Sequence, residues 1–169
     1  MDEIHEAHFT WSSLSQSATR RRELEALLQE RADYPAVVSA ENVKLVRRWF
    51  EGFRVGEVSP DICDPEIEIR NWKESPSPGP YRGHEGLRRW WNDVEDAFED
   101  MHFELVDAID VGDERVVTVQ RIVGRFRLTG IEVDHIWGAV VSVRQGKIAS
   151  AVGYASPGRA KRAAGLAGG

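Results

Sequence analysis

Glu68 and Arg70 stand two residues apart in the segment Glu66 to Trp72, where apolar Ile67 and Ile69 alternate with polar neighbours. Residues two apart on a strand share a face, so this carboxylate and this guanidinium meet side by side, with Trp72 continuing their row. A Glu in such a place has two chemical uses. Walled by apolar surface, its charged form is disfavoured and it can exchange a proton as base or acid. Beside arginines it stays ionised, and the group is a neutralised ion pair that orders its surroundings. The sequence leaves both readings open. Asp134 and His135 are adjacent on a strand pattern, so they point to opposite faces and form no ready dyad. His84 opens a helix on its exposed side, and His102 starts a strand. No His, Asp and Glu spacing fits a metal site, and the single cysteine, Cys63, has no second thiol for a disulfide or a metal cluster. No cofactor is called for. Six tryptophans supply flat apolar surface with one donor each, suited to a planar or polycyclic ligand as well as to a core.

The elements that position these groups are legible from periodicity. Ser39 can cap a helix whose apolar residues Val43, Val46, Trp49, Phe50 and Phe53 follow helical spacing, and Gly56 ends it. Pro60 and Pro65 bracket a short turn before the strand Glu66 to Trp72. Lys73 to Gly83 carries three prolines and two glycines and reads as a rigid loop. A second helix then repeats Leu87, Trp90, Trp91, Val94 and Phe98 on one side, with Arg88, Arg89, Asp93, Glu95 and Asp96 on the other. After Asp100 the period becomes two. Turns at Gly112, Gly130 and Gln145-Gly146 divide His102 to Ala155 into a four-strand antiparallel meander, and Ala160 to Leu166 makes a last short helix. Helices followed by a long sheet predict an α+β fold with helices on one sheet face.

Composition bounds the function. A chain of 169 residues is one domain in size, and 41% apolar with 30% charged residues is ordinary for a globular protein. Its net charge of −6 does not suit nucleic-acid binding, and the basic runs Arg20 to Arg22 and Arg159 to Arg162 read as solvated helix faces. No apolar stretch approaches the ~18 residues of a membrane span, and the start lacks a secretory pattern, so a cytoplasmic protein without membrane partners is expected. Residues 1–38 differ from the rest: a Ser-rich stretch precedes a charged segment with Leu24, Leu27, Leu28 and Arg31 at helical spacing. The expected organisation is an N-terminal extension, 1–38, a domain, 39–166, and a tail, 167–169.

The stretches ENVKLVRRWFEGFRVGE, DPEIEIRNW, PGPYRGHEGLRRWW, GIEVDHIW, VVSVRQGKI and RAAGL, in this order over residues 41–166, resemble the SnoaL-like and ketosteroid isomerase-like branch of the nuclear transport factor 2-like superfamily. The resemblance implies a cone: a strongly curved antiparallel sheet wrapped by helices around a pocket, the cystatin-like α+β barrel. It also implies a homodimer joined through the outer sheet face. The superfamily's known chemistries can be tested position by position. The isomerase base falls on Arg70, its oxyanion Tyr on Trp49, and its buried acid on Gly138 or Ala139, so that set is lost. Of the epoxide-hydrolase Asp, Arg, Asp arrangement, only Arg121 remains, with Val123 and Gly153 in the carboxylate places.

What the resemblance leaves as a catalytic set is Glu68, Arg70 and Arg121, with the arginines polarising a substrate oxygen. Trp49, Phe53, Trp72, Tyr81, Trp91, His135, Trp137 and Tyr154 are the expected ligand contacts, and Asp134 joins them if its face points inward. Two functions follow from different classes. One is a cofactor-independent isomerase, cyclase or hydrolase acting on a hydrophobic small molecule by acid-base chemistry at Glu68. The other is a ligand-binding or dimerising module that kept the cone and lost the catalytic residues.

Overall fold

The computed structural model describes residues 19–27, 29 and 40–166. The chain divides into two units, Met1–Ala36 and Val37–Gly169. In the first, the described residues are helical; Leu24 and Leu27 are half-buried, and Arg20 donates to Glu23 at 2.6 Å one turn on. Leu28 and Arg31, the other members of the expected Leu stripe, lie outside the described residues, as do Ser39 and the tail 167–169.

The second unit is a six-strand, curved, unclosed sheet with helices, the α+β cone fold anticipated above. Helix α1 spans Ala40–Arg54 and buries Val46, Trp49, Phe50 and Phe53, the positions its spacing selects. It ends as expected: Gly56 takes φ +77°, and the Glu57 N–H returns to the Gly52 carbonyl at 2.8 Å. A single 3-10 turn, Pro60–Ile62, leads into β1, Cys63–Arg70. The Pro/Gly loop contains a two-residue strand, β2, Tyr81–Arg82. Helix α2, Gly83–Ala97, buries Leu87, Trp90, Trp91 and Val94, and it stops one residue before the Phe98 assigned to it by periodicity. Phe98 instead opens β3, Phe98–Gly112, followed by β4, Arg115–Phe126, β5, Glu132–Arg144, and β6, Lys147–Tyr154. The last helix, α3, Pro157–Ala163, starts three residues earlier than its alanines suggest, because Pro157 at its first turn and Ser156 accepting from the Arg159 N–H set the cap.

The strand order is β2-β1-β6-β5-β4-β3. The meander is antiparallel throughout, whereas β1 joins β6 in parallel. Three register shifts along β3–β4 and one along β1–β6 insert extra residues, and such bulges bend a sheet. On the concave side, α1 and α2 cover the sheet with one aromatic cluster. Phe53 stacks on Trp91 at 4.9 Å and meets Trp90 edge-on at 5.3 Å, while Phe50 stacks on Phe103 at 5.6 Å. The adjacent Trp90 and Trp91 are both buried, since Phe53 reaches both rings. On the convex side, α3 lies over Ile109 and Val117. Its close approach depends on Gly138, where a Cβ would stand 2.8 Å from that of Ala160.

Candidate functional site: an aromatic cavity in the concave face

Between the concave face, α2 and the loop after β1 lies a cavity of about 400 Å³. Its floor is set by strand register. Phe103, Ile122 and His135 are consecutive cross-strand partners on β3, β4 and β5, so all three share the concave face, and all three line the cavity. Trp137, two residues past His135, continues the row. Its cross-strand partner Gln120 is fully buried, donating to the Thr118 hydroxyl at 2.5 Å while its carbonyl oxygen has no partner among the described residues. Phe98 and Phe126, stacked at 4.8 Å, close one side, and α2 contributes Trp90 and Val94. The Trp90 indole N–H is buried without a hydrogen-bond partner among the described residues. Trp72 covers the opposite side, its ring 5.6 Å from Trp137 and 5.8 Å from His135.

The loop carrying Trp72 is pinned by one side chain. The Asn71 amide donates to the Ser77 carbonyl at 2.9 Å, and its backbone N–H to the Pro78 carbonyl at 2.9 Å. Asn71 Oδ1 rests directly against the Cα of Gly153 on β6; a Cβ there would collide with it and stand 3.1 Å from the Trp137 ring. The position where a hydrolase-type carboxylate was sought is therefore filled by a neighbour's amide, and no side chain fits.

The opposite parity on the same strands governs Arg121. Glu104, Arg121 and Ile136 are cross-strand partners on the convex face, one residue out of phase with the cavity row. Arg121 grips Asp134 through two hydrogen bonds of 2.9 Å, and that contact raises its pKa further. Asp134 borders the cavity, but its carboxylate is neutralised by this bidentate pair. Glu74 and Glu132 border the cavity too, and Glu132 stands opposite Arg125 in the β4–β5 register, on the parity of Asp134. Among the described residues no lysine or arginine lines it.

Glu68 and Arg70, expected inside the cone, lie outside this lining. Ile67 and Ile69 are the buried members of β1, so their alternates face away from the core. Glu68 accepts from Arg70 at 2.7 Å and from Arg82 at 3.0 Å, and these bonds hold its carboxyl below the usual carboxylate range. Its side chain is 33% exposed and those of the arginines 53% and 68%. This is the ion-paired alternative, on the surface. Arg82 escaped sequence reasoning because it sits in the Pro/Gly loop. Trp72 does not continue the Glu68 row, since β1 ends at Arg70.

Among the expected ligand contacts, Trp72, His135 and Trp137 line the cavity together. Trp49, Phe53 and Trp91 belong to the core beneath α1 and α2; the Trp49 indole donates to the Val58 carbonyl at 3.2 Å. Tyr81 anchors the loop by donating to Asp93 at 2.6 Å, with Arg89 over its ring, and burial followed by that bond pushes its hydroxyl up to about 12. Tyr154 pairs with Gly138 on the convex face and packs against the α3 cluster. His84 is half-buried rather than exposed, its Nε2 3.1 Å from the Cys63 carbonyl, which places the ring proton on that nitrogen. Cys63 is buried, and desolvation lifts its thiol to about 12. The expected ligand contacts left out Trp90, Phe98, Phe103, Ile122, Phe126 and Asn71; the alternation of apolar Ile122 with Arg121 on β4 was the available signal. Among the described residues no group of three or more His, Cys, Asp or Glu could hold a metal ion, and no helix is long and apolar enough to cross a membrane.

Solved structures share this architecture. An NTF2-like protein from Burkholderia thailandensis superposes with a TM-score of 0.63 at 21% identity, covering 73% of this chain and 95% of its own. TerC, co-crystallised with polyporic acid, gives 0.59 at 18% identity, covering 68% and 90%. A protein of ketosteroid isomerase-like fold from Catenulispora acidiphila, in complex with trimethylamine, gives 0.55 at 14% identity, covering 77% and 96%. No curated protein matches the sequence. Residues 46–151, which hold most of the sheet, all of α2 and the C-terminal part of α1, match the SnoaL-like domain, and the chain belongs to that family.

Proposed function

We propose that this SnoaL-like domain binds a hydrophobic, aromatic small molecule in the concave cavity, and that binding rather than acid-base chemistry at Glu68 is its primary activity. The observation that carries this is the lining itself: about 400 Å³ enclosed by Trp72, Trp90, Phe98, Phe103, Phe126 and Trp137 with few polar groups, the composition of a small-molecule site. Structures of the same fold with polyporic acid and with trimethylamine are consistent with a ligand-binding role. A second reading, acid-base catalysis, moves from Glu68 to His135, because among the described residues His135 is the one imidazole on the cavity wall and lies beside Trp72. A homodimer through the convex face belongs to the same proposal; α3 occupies the part of that face over Ile109 and Val117.

The test is native mass spectrometry of the protein purified from its own host, followed by titration of Trp emission with the compound that co-purifies. Ile122→Trp, which fills the cavity, should release that compound. A protein that carries no ligand, and whose emission answers to none, would overturn the binding reading. If the ligand is turned over and His135→Gln leaves the rate unchanged, the catalytic reading falls while binding stands.

A further inference from the structure

The cavity has a direction. Phe103, Ile122 and His135 form one cross-strand row over β3, β4 and β5, and with strands about 4.8 Å apart the row runs about 10 Å across the sheet. At its β5 end stand polar groups: the Trp72 ring lies 5.8 Å from His135, and the Trp72 loop brings Ser75 and Ser77 to the lining. At its β3 end stands the Phe103 ring, 8% exposed and 6.2 Å from Trp137. β3 is the edge of the sheet, so no further strand continues the floor. Behind Phe103 lies a groove of about 630 Å³ between α1 and that edge, lined by Arg47, Glu51 and Arg54 from the helix and by His102 and Glu104 from the strand. Among the described residues Phe103 is the one that lines both the cavity and the groove. Phe50, a groove residue, stacks on it at 5.6 Å, and Phe53 and Trp91 meet it edge-on. One phenyl ring, fixed by its aromatic neighbours, thus divides an apolar compartment from a charged one.

We infer that Phe103 is the end wall that limits ligand length, and that the ligand lies along this row with its hydrocarbon end against Phe103 and its polar end toward His135 and the loop. This rests on the binding reading above and adds the ligand's orientation and a specificity-determining residue to it. Each methylene buried along the row multiplies affinity by about fourfold, the factor that its transfer out of water supplies. A methylene with no room beyond Phe103 stays in water and adds nothing. A hydroxyl at the same end is buried against aromatic carbon and lowers affinity.

The experiment titrates the full chain with 6-alkyl-2-naphthols of increasing chain length, followed by calorimetry. In the unmodified protein affinity should climb by about fourfold per methylene and then level off. In Phe103→Leu the plateau should begin about two to three methylenes later, in the room vacated by the ring. Leu105→Ala, which alters the groove and not the cavity, should leave the plateau in place. At the last length before the plateau, the analogue with a terminal hydroxyl on its chain should bind about fivefold weaker or worse. A crystal structure of the unmodified protein with the alkyl naphthol of that length checks the wall without any substitution: the terminal methyl should lie within about 4 Å of the Phe103 ring. A plateau that Phe103→Leu does not move or that Leu105→Ala moves equally, equal binding of the hydroxyl analogue, or a terminal methyl in solvent or beside the loop overturns the inference and leaves the binding reading intact. Failure of every naphthol to bind overturns both.

Discussion

Gly153→Ala is the sharpest probe of how the cavity is built. In an ordinary strand this change is favourable, because Gly is worse than Ala by roughly 0.5–1 kcal/mol of backbone entropy. Here the added Cβ would strike Asn71 Oδ1 and stand 3.1 Å from Trp137, so the sign should reverse. Asn71 would have to move, giving up its 2.9 Å bond to the Ser77 carbonyl, a group in a residue only 3% exposed. Losing that bond and leaving the carbonyl unpaired costs about 1–2 kcal/mol, and residual crowding against Trp137 adds about 1 kcal/mol. Gly153→Ala should therefore destabilise by about 2–3 kcal/mol, and Asn71→Ala alone by about 1–2 kcal/mol. The double variant should cost little more than Asn71→Ala, since the obstacle has already been removed; the coupling is then about 1–2 kcal/mol favourable. Urea unfolding of the four proteins measures this directly. A stabilising Gly153→Ala, or strictly additive costs, would refute the account of Asn71 as the pin of the Trp72 loop.

Tyr81→Phe removes the bond to Asp93 and should cost about 1–2 kcal/mol at neutral pH. Because the folded hydroxyl is raised above its unfolded value near 10, that contribution is complete below about pH 10 and is lost as pH rises through about 12, so the stabilities of the two proteins should converge there. Asp64 is held low by the Glu66 N–H and then by Arg144, and Glu68 by Arg70 and Arg82. Their contributions are present above the ordinary carboxylate range, near pH 4, and disappear as pH falls through the depressed values; Asp64→Asn/Glu68→Gln should flatten the acid limb of a stability-against-pH curve. The Cys63 thiol, buried and raised to about 12, should resist an aromatic disulfide reagent at pH 8 in the native protein and react at once in denaturant; rapid native labelling would show that β1 is open.

The fold was largely legible in the sequence because its signals are local. Helical spacing placed α1 and α2, and Gly112, Gly130 and Gly146, all with positive φ, marked the hairpins of the meander. The site was less legible because it depends on parity and register. Glu68 and Arg70 do share a face, but whether that face points in or out is decided by Ile67 and Ile69, the stronger claimants to the core. Trp72 misled the assignment by standing at the right spacing two residues beyond the end of the strand. Arg121 falls on the convex face because its partners are Glu104 and Ile136, and no local pattern fixes which residues pair across β3, β4 and β5. The third member of the Glu68 group, Arg82, comes from a strand of two residues inside a stretch rich in proline and glycine.

The parallel junction between β1 and β6 bears on the order in which the molecule assembles. Glu68 sits beside Ser150 and Ile69 beside Ala151, so this seam joins segments about eighty positions apart, whereas each seam of the meander closes through a short hairpin. Closing so long a loop early is entropically costly, so the meander should zip first and β1 should add to its finished edge late. The loop with Asn71 and Trp72 follows β1, and Gly153 lies on the strand it docks against. One wall of the cavity is thus laid down in the last folding step, and pulse-labelled hydrogen exchange should find the amides of β1 protected after those of β4 and β5.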